Sequence, residues 1–458
     1  MEQSNRPGGG YSGSRRDFIK IAAASLGGTL LAGGGIGCAG DGFNPNGGGG
    51  GGLNTHVGLG TMPNGYTFYR LFTPGRDSVL GDVQMLMGGV LNNDSTILFY
   101  ARKRSGAMGL YQISVEYGGD GPRIVDIPTV IMEQGQVLPG GIPISTIGSA
   151  SLSNEGPYST CAAIVTGTAD HGRGVELRGT PCLWTNPDGD FAPLVVPNSP
   201  TPDGGRFGAH LTDVSINKNG DILLVAEYSR EDEDRIRLPQ GVFKLSGSGT
   251  SSQGQLLGKT GSLLQGSGNG PSRFGICDYD SNGNFVVQGF SQNSLGANAK
   301  GVSARIFGAA NHGSPRLLSG PPGTALMGPR IDNGTHTAVM HVEGSHTDHA
   351  LYYNNNLVTR TGASSPTGSR IIGIGPGSVS NDITHFLITV ENGMELVVSN
   401  GSDQRTVLKY GDRLANSPQQ IRGIVHGFHA DQADSGGNIV FIGEFEDGSQ
   451  SVVVGMPH

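Results

Sequence analysis

Asp278, Asp280 and Asn282 fall at alternate positions ahead of Gly283, the opening of a loop in which successive oxygen ligands wrap a calcium ion. The bidentate acid that would close a hand-type loop is missing, because Gly289 stands at its position. A polar hairpin turn accounts for the same residues, since other copies of the pattern carry Asn217 or Asp434 there without the rest of the set. Histidines gather at His336, His341, His346 and His349, with His426 and His429 further on. Zinc needs three or four ligands converging tetrahedrally. On one strand, however, His336 and His341 face opposite sides, and no Cys or paired Glu completes a set. Calcium is the one metal kept as an expectation, and no other cofactor is expected.

Covalent chemistry has even less to work with. The sequence holds no Gly-x-Ser-x-Gly elbow, no His-Glu-x-x-His and no phosphate-cradling Gly-x-x-x-x-Gly-Lys-Ser/Thr loop. Cys277 lies on an apolar strand without a nearby His or cation to depress its pKa, which suits a small core residue better than a nucleophile. Glu227 and the acidic run Glu231 to Asp234, followed by Arg235 and Arg237, read as the decoration of an exposed hairpin. Cys161 and Cys182 fall on neighbouring strands and could pair as a disulfide in an oxidising compartment if the register sets them opposite. Two separately buried thiols are the alternative.

What positions these residues is a repeated unit. Asp213 to Ala226 reads as a strand, a tight polar turn of two residues and a second strand, with Asn and Gly taking the positive φ that such turns need. The unit recurs at Tyr279 to Val287 and Ala433 to Phe441, and more weakly at Leu91 to Tyr100, Leu152 to Ile164, Ile331 to Met340 and Val379 to Ile388. The Gly220-equivalent positions are 95, 156, 220, 283, 334, 383 and 437, so each repeat has room for a sheet of about four strands. A short apolar third strand follows in every copy, at Gly109 to Ile113, Cys182 to Thr185, Gly241 to Leu245, Ala304 to Phe307, Ala350 to Tyr353, Glu395 to Val398 and Ser451 to Val454. A fourth leads into a Gly-rich bend, as at Val407 to Asp412 and Arg316 to Gly320. The last repeat has only three strands, while the segment Tyr69 to Asp77 reads like the missing one. An open array would leave that edge unpaired. The expectation is therefore an all-β, seven-bladed β-propeller over residues 66–458, four antiparallel strands per blade, closed by pairing of the N-terminal strand with the last blade. A pair of β-sandwiches is the competing architecture, but sandwiches do not require seven equivalent hairpins.

The unit resembles that of exported bacterial tandem-repeat proteins written Asn-x-x-Gly-x-x-Ala-Phe. Asn217 and Gly220 match with Leu223-Leu224 in place of Ala-Phe, whereas Asp434, Gly437, Val440 and Phe441 match more closely. The hairpin Gly443 to Gly448, followed by an apolar strand, is also similar to that family. The resemblance implies the fold and a location outside the cytoplasm, and carries no catalytic residue across. The Ser-x-Asp-x-Gly-x-Thr-Trp turns of sialidase-like blades are missing, and Trp184 is the single tryptophan.

Composition narrows the partners. Of 458 residues 80 are Gly, without a three-residue period, so the chain is not collagen-like. Lys+Arg 30 against Asp+Glu 38 leaves a net charge of −8, which offers no electrostatic reason to expect nucleic acid or an acidic membrane surface. Residues 14 to 20, Ser-Arg-Arg-Asp-Phe-Ile-Lys, precede a weakly apolar stretch from Ile21 to Gly37 and resemble a twin-arginine export signal built on Arg15 and Arg16. The stretch ends at Gly35-Ile36-Gly37-Cys38-Ala39, which is similar to a lipoprotein box with Cys38 as the acylated residue, although Gly35 departs from the usual aliphatic. Residues 1–38 are read as the signal and 39–65, with its six consecutive glycines, as a flexible linker.

The functional expectation is an exported, non-enzymatic scaffold of the cell envelope, periplasmic, cell-surface or lipid-anchored. Its polar loops, notably Gly167 to Pro181 and Ser229 to Gln240, would bind an envelope protein or a glycan. It would touch a membrane only through its signal or lipid anchor. The alternative is a carboxylate- or metal-dependent hydrolase or lyase acting on an exported glycan or ester at a central channel.

Overall fold

The structure is a computed structural model. It describes residues 61–458 apart from 76–81, 93–95, 127, 139–141, 153–160, 170–176, 186–191, 218, 230–238, 247–252, 261–270, 272, 281, 293–301, 310–315, 319–323, 333–334, 343–348, 355, 381 and 431–436. The described residues contain strands and no helix, and every strand pair is antiparallel.

The chain enters on β1 (Tyr66–Phe72) and then forms seven sheets in succession. The first holds β2 (Val83–Asn92), β3 (Thr96–Lys103), β4 (Met108–Gly118), β5 (Gly121–Ile124) and β6 (Thr129–Glu133). The second holds β7 (Val137–Leu138), β8 (Ile142–Leu152), β9 (Cys161–Ala169), β10 (Leu177–Thr185) and β11 (Ala192–Val195). The third comprises β12 (Arg206–Ile216), β13 (Asp221–Ser229), β14 (Gln240–Ser246) and β15 (Gly254–Lys259). In the fourth are β16 (Arg273–Tyr279), β17 (Phe285–Gln292), β18 (Val302–Ala309) and β19 (Arg316–Leu318). The fifth has β20 (Thr324–Asp332), β21 (Thr335–Val342), β22 (His349–Tyr353) and β23 (Asn356–Arg360). The sixth has β24 (Ile371–Ser380), β25 (Ile383–Val390), β26 (Gly393–Ser399) and β27 (Gln404–Lys409). The last has β28 (Ile421–Ala430), β29 (Ile439–Phe445) and β30 (Gln450–Pro457), and takes β1 as its fourth strand.

The expected four strands per sheet hold in five cases. In the first sheet β4 is long enough to pair β6 along Gly109 to Gln112 and β5 along Val115 to Gly118, which adds a strand. In the second, β7 is a two-residue addition beside β8. The turn chemistry also differs from expectation. Asn217 N donates to Asp221 O and Gly220 N to Asn217 O, so the loop is three residues closed by a positive-φ glycine, not two. The same pattern joins Asp280 to Asn284. In the sixth sheet the positive φ falls on Asp382, at 60°, one position before the residue 383 read as equivalent.

Each first strand is interrupted midway. Pairing with the second strand skips between Leu86 and Val90, Ile147 and Ala150, Phe207 and Leu211, Phe274 and Cys277, Met327 and Arg330, Ile374 and Gly377, and His426 and His429. Every interrupted stretch contains a glycine: Gly88, Gly148, Gly208, Gly275, Gly328, Gly375 or Gly427. A bulge bends its strand and raises its local twist. Here it does so where the first strands meet, because β8 lies against β12, β12 against β16, β16 against β20, β20 against β24, β24 against β28, β28 against β2 and β2 against β8. Gly328 needs its lack of a side chain for backbone reasons, since its φ is +57°.

The cores lie between sheets. Val83, Ile97 and Phe99 of the first sheet pack with Val440, Ile442, Val452 and Val454 of the last. Ile383, Leu396 and Val398 of the sixth pack with Ile439, Phe441 and Val453 on the other side of the last sheet. β1 serves both. A register shift between Arg70 and Phe72 puts an extra residue into β1. Phe68 consequently enters the core toward the sixth sheet and Phe72 the core toward the first, although the two are an even number of residues apart. Gly455 lies opposite Phe68, and a Cβ there would sit 2.4 Å from the Phe68 ring.

Arg70 fastens this strand. Its guanidinium donates to Ser417 and Ser451 Oγ, Gln419 Oε1, Thr73 Oγ1 and Ser449 Oγ, and lies 3.9 Å over the Phe445 ring. Asn416 adds a reciprocal pair with the Arg70 backbone, at 2.8 Å each way. Replacing the fork and its ring contact by a methyl group, Arg70→Ala, is expected to lower the unfolding free energy by about 2–4 kcal/mol in guanidinium titrations. Arg70→Lys, which cannot reproduce the planar fork, should recover less than half of that.

Candidate functional site

The residues expected to bind calcium are brought near one another but engaged elsewhere. Asp280 Oδ1 accepts the backbone N–H of Asn282 at 2.9 Å and of Asn284 at 2.8 Å, while Oδ2 accepts the Asn284 side-chain amide at 2.7 Å. Asp278 Oδ2 accepts Ile331 N at 2.9 Å and Oδ1 accepts Ser215 Oγ at 3.3 Å. One carboxylate closes a turn and the other ties the fourth sheet to the third and the fifth. Asn282 is exposed, and β17 starts at Phe285, so the chain returns to a strand before a loop could bring more oxygens round. Among the described residues no three or more His, Cys, Asp or Glu gather as a metal site.

The geometry reveals a different polar constellation on the first strands. Ser149 of β8 donates to Asp213 Oδ1 of β12 at 2.5 Å, and Asp213 Oδ2 accepts Cys277 N of β16 at 2.8 Å. One step along, Ser151 Oγ accepts Ile216 N at 3.0 Å, and Ser215 reaches Asp278, which accepts from Ile331 of β20. These side chains bond from one first strand to the next, across the boundary between sheets. Burial raises the pKa of Asp213, against the hydrogen bonds from Ser149 and Cys277 and the positive charge of Arg330. Burial likewise raises that of Asp278, again opposed by Arg330. Cys277 is buried, with its Sγ 3.8 Å from Leu223 O, and burial plus the two carboxylates pushes its thiol well above the ordinary range. A thiol so disposed is a core residue and not an activated nucleophile. Two carboxyls with raised pKa beside one guanidinium could exchange protons with a bound molecule, or hold sheets together; the hydrogen bonds show the second use.

The remaining expectations fare variously. Cys182 lies opposite Val165, so Cys161 is four residues further along β9. At about 3.3 Å per residue that is roughly 13 Å, beyond the reach of a disulfide. The expected pairing fails because the strands are offset. Of the loop read at Gly167 to Pro181, residues 167–169 and 177–181 are strand, with Leu177 paired to Ala169 and Pro181 to Thr166, and 170–176 lie outside the described residues. His341 and His349 are cross-strand partners, but the side chains of His336, His341, His426 and His429 and the whole of His346 lie outside the described residues, as do Arg15, Arg16 and Cys38. Sequence reading missed Ser149, Asp213 and Arg330 as a group, since nothing in their spacing marks them. The glycine shortly before each turn was the available signal, hidden by the abundance of glycine.

No protein-family model matches the chain, and no curated protein matches it. Among solved structures it is similar to the β-propeller domain of the Trilobed protease from Pyrococcus furiosus, at 8% identity and a TM-score of 0.46, over 81% of this chain and 95% of that one. It is also similar to acylaminoacyl peptidase from Pyrococcus horikoshii, at 11% identity and 0.44, covering 81% of this chain and 52% of that one. Trypanosoma rangeli sialidase matches at 10% identity and 0.37, over 86% and 58%. The chain thus spans little more than half the length of the peptidase and the sialidase. No site residue is carried over from these likenesses.

If Asp278 is a tie between sheets, Asp278→Ala leaves the Ile331 N–H without its acceptor and should lower stability by about 1–3 kcal/mol. Asp278→Asn keeps an acceptor. Because the folded pKa is raised, the native state holds the proton that the unfolded state releases near pH 4, and wild-type stability falls as pH rises from there through the raised value. Relative to wild type the Asn variant should therefore gain stability across that window in urea titrations at stepped pH, and then level off.

Proposed function

We propose that the seven sheets are the blades of a closed β-propeller, and that the protein is an exported scaffold of the cell envelope whose loops bind an envelope protein or a glycan. Support for closure comes from the pairing of β1 with β30 and from the order of first-strand neighbours, which returns from β28 to β2. The observation that carries the binding role is where the inner carboxyls go: Asp213 and Asp278 bond to Ser149, Ser215 and the Cys277 and Ile331 amides, so the converging strands use their acids on one another.

The loops are distributed unevenly. Connections from second to third strand span 170–176, 230–239, 293–301 and 343–348 in four successive sheets, but only 391–392 and 446–449 in the sixth and last. In a meander such connections leave their sheets at a common end. In sequence these connections carry both signs of charge, at Asp170, Arg173, Glu176, Glu231 to Asp234, Arg235, Arg237, Glu343 and Asp348, which suits a polar partner. Arg15 and Arg16 are the proposed address, and Cys38 a proposed lipid attachment that would hold the body at a membrane by the linker 39–65.

A second reading, a carboxylate-dependent hydrolase or lyase on an exported glycan or ester, is favoured by the raised pKa of Asp213 and Asp278. The two are separable. On a panel of envelope glycans and purified envelope proteins, replacing 230–239 by a Gly-Ser turn should abolish binding while the far-ultraviolet spectrum and melting point stay within a few degrees. Turnover of a glycan or ester that is lost in Asp213→Asn, with binding untouched by the loop replacement, would instead establish the enzyme.

A further inference from the structure

β25 sends alternate side chains to opposite faces. Ile383 and Leu387 enter the core shared with the last sheet, and Phe386 and Ile388 the core shared with the fifth. His385 falls on the Ile383 side and is 1% exposed. Its Nε2 lies 3.0 Å from Tyr66 Oη, and that same oxygen lies 3.1 Å from the Gly437 carbonyl. A carbonyl only accepts, so the phenol proton belongs to Gly437 and the imidazole must be the donor to Tyr66. Burial keeps the ring neutral, so its one proton sits on Nε2. Its Nδ1 is left as a bare acceptor, buried and without a partner among the described residues.

The described surroundings offer a positive charge no counter-ion. Tyr66 from β1 meets the ring edge-on, with centroids 6.2 Å apart. Ser378 of β24 and Val398 of β26 are its cross-strand neighbours, and Ile439 and Phe441 of β29 belong to the same core. Among the described residues Tyr66 is the titratable group in contact, and burial is what holds the imidazole down to about 3. The cover is the chain's own entry segment. Asn64 N and Gly65 N donate to His458 O, His458 N returns a bond to Gly65 O, and the Pro63 and Asn64 carbonyls accept from Arg405.

We infer that His385 is a proton-sensitive latch under Tyr66: when the entry segment 62–66 lifts, a proton from solvent adds to Nδ1, and the resulting imidazolium keeps the segment from closing again while the other sheets stay folded. Exposed, the imidazole has an ordinary pKa near 6.5. Buried, it releases its second proton unless the pH approaches 3. The open state therefore binds a proton that the closed state excludes, and below about pH 6 its population should rise by up to tenfold per pH unit. Acid would loosen the seam between the sixth and last sheets, where the N-terminal segment enters.

Hydrogen exchange of the full chain between pH 7.5 and 4.5, corrected for the intrinsic rate, tests this. Protection at 62–66 and 456–458 should fall about tenfold per unit below pH 6, while that of β13 and β14 holds. In His385→Leu the slope should vanish. His385→Gln, which keeps an N–H for Tyr66 but does not titrate, should be equally flat and guards against a folding defect in the first variant. A wild type without the slope, variants that retain it, or β13 and β14 losing protection in parallel would each overturn the latch.

Discussion

Backbone pairing of β1 with β30 is the constraint on which the rest rests, because it makes the first strand of the body the fourth strand of the last sheet. Without it Val452 to Val454 would carry an unpaired edge, and two cores would each lose a phenylalanine. The one-residue bulge in β1 is what lets a single strand supply both, Phe68 toward the sixth sheet and Phe72 toward the first. Arg70, between them, gathers five side chains, Thr73 just past β1, Ser451 of β30, and Ser417, Gln419 and Ser449 from the segments that flank β28 and β30. A contact spanning nearly four hundred residues is entropically tolerable because closure cost grows only with the logarithm of loop length, about 0.6 kcal/mol per doubling.

Much of this was legible in the residues. The third strands stand where short apolar runs foretold them, and the segment beginning at Tyr69 does complete the last sheet, starting three residues earlier at Tyr66. Those features are written in alternating β-branched runs, which a pleated sheet requires directly. What escaped was whatever depends on register. Cys161 and Cys182 lie on adjacent strands as read, but the offset that separates them is set by the hairpin between, not by their positions in the chain. The bulge glycines and the extra strands of the first two sheets escaped for a related reason: a bulge is a statement about two strands, and one sequence shows only one at a time.

The residues with calcium-loop spacing also do structural work. Asp278 and Asp280 have the spacing of cation ligands, yet Asp280 caps three donors of its own turn while Asp278 receives an amide from the next sheet. A first strand is the edge of its sheet and has backbone N–H groups without a partner strand on one side, and a buried donor must find an acceptor. Short polar side chains on the neighbouring first strand, Ser151, Asp213 and Asp278, supply it. Raised carboxyl pKa values follow from that burial and are not by themselves a mark of catalysis.

The most direct test of the account is a cross-link across the β1–β30 seam. Thr67 lies opposite Met456, and neither is fully buried, so Thr67→Cys with Met456→Cys should oxidise readily within one molecule and raise the thermal midpoint by several degrees. Failure to form that bond in folded protein, or its formation only between molecules, would contradict the closure.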